Sequence, residues 1–322
     1  MIIGSLAGYE DRQSRRGERA PPMSAKKKDI INAPVGSDKI LKSPSYTKAY
    51  IDPVFMESPD ARGIRILSEY EKPEALLRKN NVLSTIIVFG SARILPPDVA
   101  QKQLESAEKM LKAHPHSLGL KKEVDAARSR VEMSVYYDKA RKFAQLVSKR
   151  NQFYDYATSK DKAPARRKNF RFVICTGGGG GIMEAANRGA NDVDGISIGL
   201  NITLPHEQRP NPYITPDLCF QFHYFALRKL HFLLRAVAVV VFPGGFGTLD
   251  EIFTALTLSQ TGKMPRLPII LFGESYWRSC LNLEYLSKAG MIAEEDLDLF
   301  SYADTPEQAI EYITDFYGPN PE

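Results

Sequence analysis

Residues 236–242, Ala-Val-Ala-Val-Val-Val-Phe, are apolar at every position and run directly into Pro243-Gly244-Gly245-Phe246-Gly247-Thr248. A strand with no polar face must be covered on both sides, the condition of a central strand in a parallel sheet flanked by helices. Shorter runs repeat the pattern. Residues 84–89 stop at Gly90-Ser91-Ala92-Arg93, residues 171–175 are closed by Thr176 and five consecutive glycines, 177–181, and further extended segments fall at 196–200, 218–222 and 267–272. Helical patterning follows at 182–190, 224–235, from Thr248 to a stop at Gly262, 277–289 and 306–316. Strands alternating with helices predict an α/β fold: a Rossmann-like, doubly wound parallel sheet with helices on both faces, plus an N-terminal extension.

Three regions follow. Residues 1–60 are rich in Pro, Ser, Lys and Arg and are expected to be a disordered or loosely docked basic arm. Residues 61–82 form an amphipathic helical segment, with an interruption expected at Pro73. Residues 83–318 are expected to form the main Rossmann-like domain, with an elaboration at 98–150 made of two helical stretches that break at His114-Pro115-His116.

The net charge of +5 is all accounted for by residues 1–50. Residues 1–50 hold ten Lys/Arg against five Asp/Glu, which leaves 33 of each sign in the remainder. A balanced body argues against nucleic acid as the partner. No run approaches the roughly 18 apolar residues that span a bilayer, so no membrane association is expected. The opening residues lack the basic start and apolar core of a signal peptide. Cys175, Cys219 and Cys280 are scattered and suit a reducing compartment, so a cytoplasmic location is expected. His114, His116, His206 and His223 have no metal-ligand spacing, and neither a metal nor a cofactor is expected.

The glycine-marked turns carry the functional signal. In an open parallel sheet all such turns lie at the carboxyl edge, where ligands bind. Glycine lets the backbone approach an anion, and the helix start beyond it presents unpaired N–H groups. Gly90, Ser91, Arg93, Gly178, Gly179, Gly180, Gly244, Gly245, Gly247 and Thr248 are therefore the candidate phosphate and sugar contacts. The first turn is not Gly-x-Gly-x-x-Gly, and no Gly-x-x-x-x-Gly-Lys-Ser/Thr is present, so dinucleotide and P-loop readings fit poorly. Glu251 lies one helical turn beyond Gly247 and Thr248, on their face of the helix. It is a candidate for chemistry at the mouth of the loop; Asp250 serves equally well as a plain first-turn acid. The preceding helix offers Arg228, Lys229, His231 and Arg235. Arg228, His231 and Arg235 share one face. Glu184, after the glycine block, is a weaker candidate for the same cleft.

Pro243-Gly-Gly-Phe-Gly-Thr-Leu-Asp-Glu251 resembles the hallmark Pro-Gly-Gly-x-Gly-Thr-x-x-Glu of the LONELY GUY (LOG) family, and Arg228-Lys229 matches its Arg-Lys pair. The glycine block with Ile182-Met183 and the Gly90-Ser91 turn also fall in place, so the likeness covers residues 83–318 and is greatest to the longer bacterial members. Phe225 stands where the family usually has Met, and Ala92 where a second serine is common. The resemblance implies hydrolysis of the N-glycosidic bond of a nucleoside 5′-monophosphate, such as a cytokinin riboside monophosphate or an AMP-like nucleotide, to free base and ribose 5-phosphate. It implies Arg228 and Glu251 as catalytic, Lys229 in the substrate site, and a homodimer or larger homo-oligomer. Family members are often labelled lysine decarboxylases, but nothing in the sequence supplies a pyridoxal-phosphate lysine site. The alternative is a non-catalytic nucleotide or molybdenum-cofactor binding or carrier protein, which has no need of the Glu251 carboxylate.

Overall fold

The computed structural model describes residues 37–157, 170–203 and 209–318, and the expected arm over 1–36 lies outside them. The chain divides into two compact units, residues 1–60 and 61–322. In the first, residues 37–60 form short helical turns, among them α1 (Ser37–Leu41) and α2 (Pro53–Glu57). Asp52 caps α2 by accepting hydrogen bonds from the Val54 and Phe55 amides.

The second unit runs α3 (Arg62–Lys79), β1 (Thr85–Phe89), α4 (Pro97–Ala113), α5 (Leu118–Ala157), β2 (Val173–Thr176), α6 (Ile182–Asn191), β3 (Ser197–Ile202), β4 (Cys219–Phe222), α7 (Phe225–Leu234), β5 (Ala236–Val241), α8 (Phe246–Gln260), β6 (Ile269–Phe272), α9 (Glu274–Cys280), α10 (Leu283–Lys288), β7 (Ser301–Ala303) and α11 (Pro306–Tyr317). The seven strands form one sheet in the order β4-β3-β2-β1-β5-β6-β7, with every neighbouring pair parallel. This is the expected Rossmann-like α/β fold.

The strands alternate their side chains between two buried layers. Ile86, Val88, Ala238, Val240, Ile270 and Phe272 point to the face covered by α5, α6 and α11. Ile87, Phe89, Val239, Val241, Ile269 and Leu271 point to the opposite face, with Phe232, Ile252, Trp277 and Leu283. Each fully buried Val, Ile, Leu or Phe contributes about 1.5–3 kcal/mol, so both-sided burial accounts for the wholly apolar sequences of β5 and β6.

Three expectations are corrected. Helix α3 does not break at Pro73 but continues through it to Lys79. Proline removes the N–H that would bond the Glu69 carbonyl. That carbonyl finds another partner, His231 Nε2, at 3.1 Å. The single helix expected at 277–289 is two, α9 and α10, parted at Leu281 and Asn282, and the Asn282 side chain caps α10 by accepting from the Tyr285 amide at 2.9 Å. The stretch 98–150 is only partly an elaboration. Helix α4 and the start of α5 pack as a hairpin around Ala107, Val124 and Ala127. Further along α5, Tyr137, Ala140, Phe143, Ala144 and Val147 are buried against the sheet, making it the β1–β2 crossover helix. No helix among the described residues is long and apolar enough to cross a membrane.

Candidate functional site

The chain leaves β1 toward β2, β3 and β4 on one side, then crosses back to place β5, β6 and β7 on the other. The sheet order therefore reverses between β1 and β5, and the loops after these two strands part there to open a crevice. Both loops are glycine-marked. They are tied together where the Phe242 amide donates to the Phe89 carbonyl at 2.9 Å and the Ser91 amide donates to the Pro243 carbonyl at 3.0 Å.

Above this point lies a cavity of about 950 Å³, within the size range of small-molecule sites. Of the candidate residues, Gly90, Ser91, Arg93, Gly179, Arg228, Gly244, Gly245, Gly247, Thr248 and Glu251 all line it. Gly178, Gly180 and Lys229 are not among the lining residues. Gly178 serves the loop itself: its amide donates to Thr176 Oγ1 at 3.0 Å, and its carbonyl accepts from the Asn211 amide at 2.9 Å. Lys229 Nζ pairs with Asp250 Oδ2 at 2.7 Å and Thr254 Oγ1 at 3.0 Å on α8. Glu184 accepts from Tyr137 Oη at 2.7 Å and also does not line the cavity.

Two helices begin at the cavity with no side-chain cap, α6 after Gly181 and α8 after Gly245. Their first-turn N–H groups and dipoles favour an anion. Gly181 has φ +65°, and a Cβ there would stand 2.3 Å from the Ser91 carbonyl oxygen, so only glycine lets the second loop close on the first. Three arginines, Arg93, Arg130 and Arg228, and two acidic residues, Asp250 and Glu251, line the cavity together.

Arg228 is held by β3 and by a ring on its own helix. Its Nε donates to the Leu200 carbonyl at the end of β3, at 2.8 Å, and its guanidinium lies 5.2 Å from the Phe232 ring centre. Burial lowers its pKa, opposed by the charge of Glu251. Glu251 is 8% exposed. Burial raises its carboxyl pKa, opposed by Lys229 and Arg228 in that order. Among the ion pairs of the described residues there is none between Arg228 and Glu251. The two groups thus share one cavity and each other's field without quenching each other.

The expected shared face of Arg228, His231 and Arg235 does not act as one. Arg228 turns to the cavity, whereas His231 and Arg235 meet α3 through the Glu69 carbonyl and the Glu74 carboxylate. Sequence reasoning missed Ser129, Arg130 and Met133 on α5, Asn201 at the end of β3, and Tyr276 and Cys280 on α9, all of which line the cavity. Tyr276 follows a strand end at the same sheet edge, a signal that could have found it, and its hydroxyl donates to the Gly244 carbonyl at 2.8 Å. The α5 residues approach only through tertiary packing and carry no local signal. Among the described residues no cluster of His, Cys, Asp or Glu could hold a metal ion.

A search of curated proteins gives no match. Among solved structures, the chain is similar to the molybdenum cofactor binding protein of Rippkaea orientalis (22% identity, TM-score 0.38, covering 57% of this chain and 88% of that one). It is also similar to TM1055, a structural-genomics protein (18% identity, TM-score 0.40, 72% and 99%). A third is the molybdenum cofactor carrier protein of Chlamydomonas reinhardtii (16% identity, TM-score 0.37, 72% and 97%). Residues 183–313, which hold Arg228, the Pro-Gly-Gly loop and Glu251, match the family model described as possible lysine decarboxylase. That model describes the family whose motifs the sequence resembles, and the likeness it records is confined to these residues.

Proposed function

We propose that the cavity binds a nucleoside 5′-monophosphate and hydrolyses its N-glycosidic bond, releasing the base and ribose 5-phosphate. The observation that carries this reading is that a buried carboxylate, Glu251, and a buried guanidinium, Arg228, line the same crevice as two uncapped helix starts. The phosphate is gripped by the N–H groups around Gly179 and Gly247, with Arg93 and Arg228 as cations. As the bond to the base breaks, positive charge develops on the ribose. The Glu251 carboxylate stabilises that charge and orients the water that adds at C1′, and the departing base takes up a proton. Ile94, Met133, Ile202 and Phe225 give the cavity an apolar wall, which suits adenine or a base with an apolar substituent, as in a cytokinin riboside monophosphate.

A decarboxylase reading does not fit. Pyridoxal phosphate needs a lysine at the reacting centre, and among the described residues lining the cavity there is none. Exposed Phe225, Leu230 and Leu234 on α7 and Phe246 and Phe253 on α8 support a homodimer or larger assembly.

The test is a chromatographic screen of purine and pyrimidine monophosphates for freed base. Base is released from at least one monophosphate and not from the matching nucleoside, and Glu251→Gln loses turnover while still binding nucleotide. If the protein retains a phosphate-bearing pterin or nucleotide and releases no base from any monophosphate, the carrier reading replaces this one.

A further inference from the structure

Helix α3 lies outside both the family match and the segment that resembles the family, yet it grips α7, the helix that carries Arg228, at three points along its length. At the start of α7, the Glu69 carboxylate accepts from the His223 amide at 2.8 Å and the Tyr224 amide at 3.1 Å. The N-cap residue Tyr224 supplies no side-chain cap of its own, so Glu69 caps α7 from another helix and places a negative charge at its positive end. Midway, His231 Nε2 donates to the Glu69 carbonyl that Pro73 leaves without a helical partner. At the far end, the Glu74 carboxylate takes both terminal nitrogens of Arg235, the C-cap residue.

The other side of α7 leaves Arg228 little freedom. Its Nε is bonded to the Leu200 carbonyl, and its Nη2 fills the place where a Cβ on Gly177 would lie. Arg228 sits in the first turn of α7, so a displacement of that turn shifts the backbone from which the guanidinium reaches the Leu200 carbonyl.

We propose that Glu69 is a positioning residue: by fixing the start of α7 it sets Arg228 in its seat over the Gly177 loop. The activity part of this proposal rests on the reading of Arg228 given above; the mechanical part does not. A misplacement of about 1 Å costs on the order of 10²-fold in rate where a reacting group must be held in place.

The experiment compares wild type, Glu69→Ala and Glu69→Gln for kcat and KM with adenosine monophosphate, and for amide hydrogen exchange over residues 223–229. Glu69→Ala lowers kcat by about 10- to 100-fold, changes KM by less than about threefold, and speeds exchange over 223–229 at least about tenfold. Glu69→Gln keeps one accepting oxygen but turns its NH2 toward the other backbone N–H, so it falls between wild type and Glu69→Ala in both readouts. In an Arg228→Ala background, Glu69→Ala changes kcat less than about twofold, because the group it positions is gone. Losses that multiply in the double variant mark a general stability effect and overturn the proposal, as does wild-type exchange in Glu69→Ala. Should Glu69→Ala not fold, Glu69→Gln against wild type decides by the same two readouts. Should the wild type hydrolyse no monophosphate, the proposed function fails, and exchange over 223–229 alone decides whether Glu69 holds α7.

Discussion

The Arg228 guanidinium rests on Gly177, so closely that a Cβ built on that glycine would stand 2.6 Å from Arg228 Nη2 and 2.8 Å from Met183 Sδ. The glycine block after β2 therefore does two separate things. Gly177 makes room for a side chain from α7, and it and Gly179, two residues later, line the cavity.

Gly177→Ala separates activity from stability. Both clashing atoms are ends of flexible side chains, so the fold accommodates the methyl group by moving them. The moved group is the Arg228 guanidinium. Turnover falls at least about tenfold, as expected when a positioned group is displaced, while the urea midpoint changes little. Unchanged turnover with a lowered midpoint would show that the contact matters to packing alone.

Much of this was legible in the sequence because it is local. Residues 236–242 declared a both-sided strand, and the glycine turns declared the carboxyl edge. What failed was decided at a distance. Pro73 does not end its helix because His231, far along the chain, supplies the missing donor. His231 and Arg235 share a face of α7 with Arg228, yet a helix face is wide enough to meet both a cavity and a neighbouring helix. The edge strand β7 went unread because it has three residues, two of them Ser and Tyr, and shows no alternation. Arg130 reaches the cavity only because α5 crosses the sheet.

Lys229 does not line the cavity, but its charge is the foremost one opposing the upward push of burial on Glu251. The sign follows directly. In the proposed hydrolysis Glu251 works as a carboxylate, so activity is lost as pH falls through its pKa, which lies above the ordinary 4.5. Lys229→Met removes the opposing charge and frees Asp250, whose negative charge acts the same way as burial. The acid limb of the kcat/KM profile therefore moves to higher pH in the variant, with the plateau rate retained. An acid limb that stays in place would remove Lys229 from any influence on Glu251.

Asn187 is fully buried on α6 and joins the glycine block to β3. Its Oδ1 accepts from Thr176 Oγ1 at 2.7 Å and Asn211 Nδ2 at 2.9 Å, and its Nδ2 donates to Ser197 Oγ at 3.0 Å. Asn187→Ala leaves buried donors without an acceptor, at about 1–3 kcal/mol for each unsatisfied group. It also loosens Thr176 and Asn211, which hold the Gly178 amide and carbonyl. Urea unfolding then shows a loss of about 2–4 kcal/mol, and nucleotide affinity drops with it. A stable variant with normal affinity would mean that the glycine loop holds its shape without this network.

Glu74 sets an acid limit on the union of α3 and α7. Burial alone would raise its carboxyl, but the neighbouring His231 and Arg235 outweigh burial and hold it at about 2, against an ordinary 4.5. A carboxyl with a depressed folded pKa stabilises the native state fully above its unfolded value, and that contribution fades as pH falls toward the folded value, because the unfolded chain takes up the proton first. Its stabilisation is thus complete above pH 4.5 and lost between 4.5 and about 2. Glu74→Gln lacks this titration, so melting temperatures of wild type and variant differ by a constant amount near neutrality and converge below about pH 4.5. Removing one partner of a largely buried pair also leaves Arg235 without its carboxylate, so the gap near neutrality is wide, on the order of 3 kcal/mol. A gap that remains constant down to about pH 3 would show that Glu74 keeps an ordinary pKa and that Arg235 does not depend on its charge.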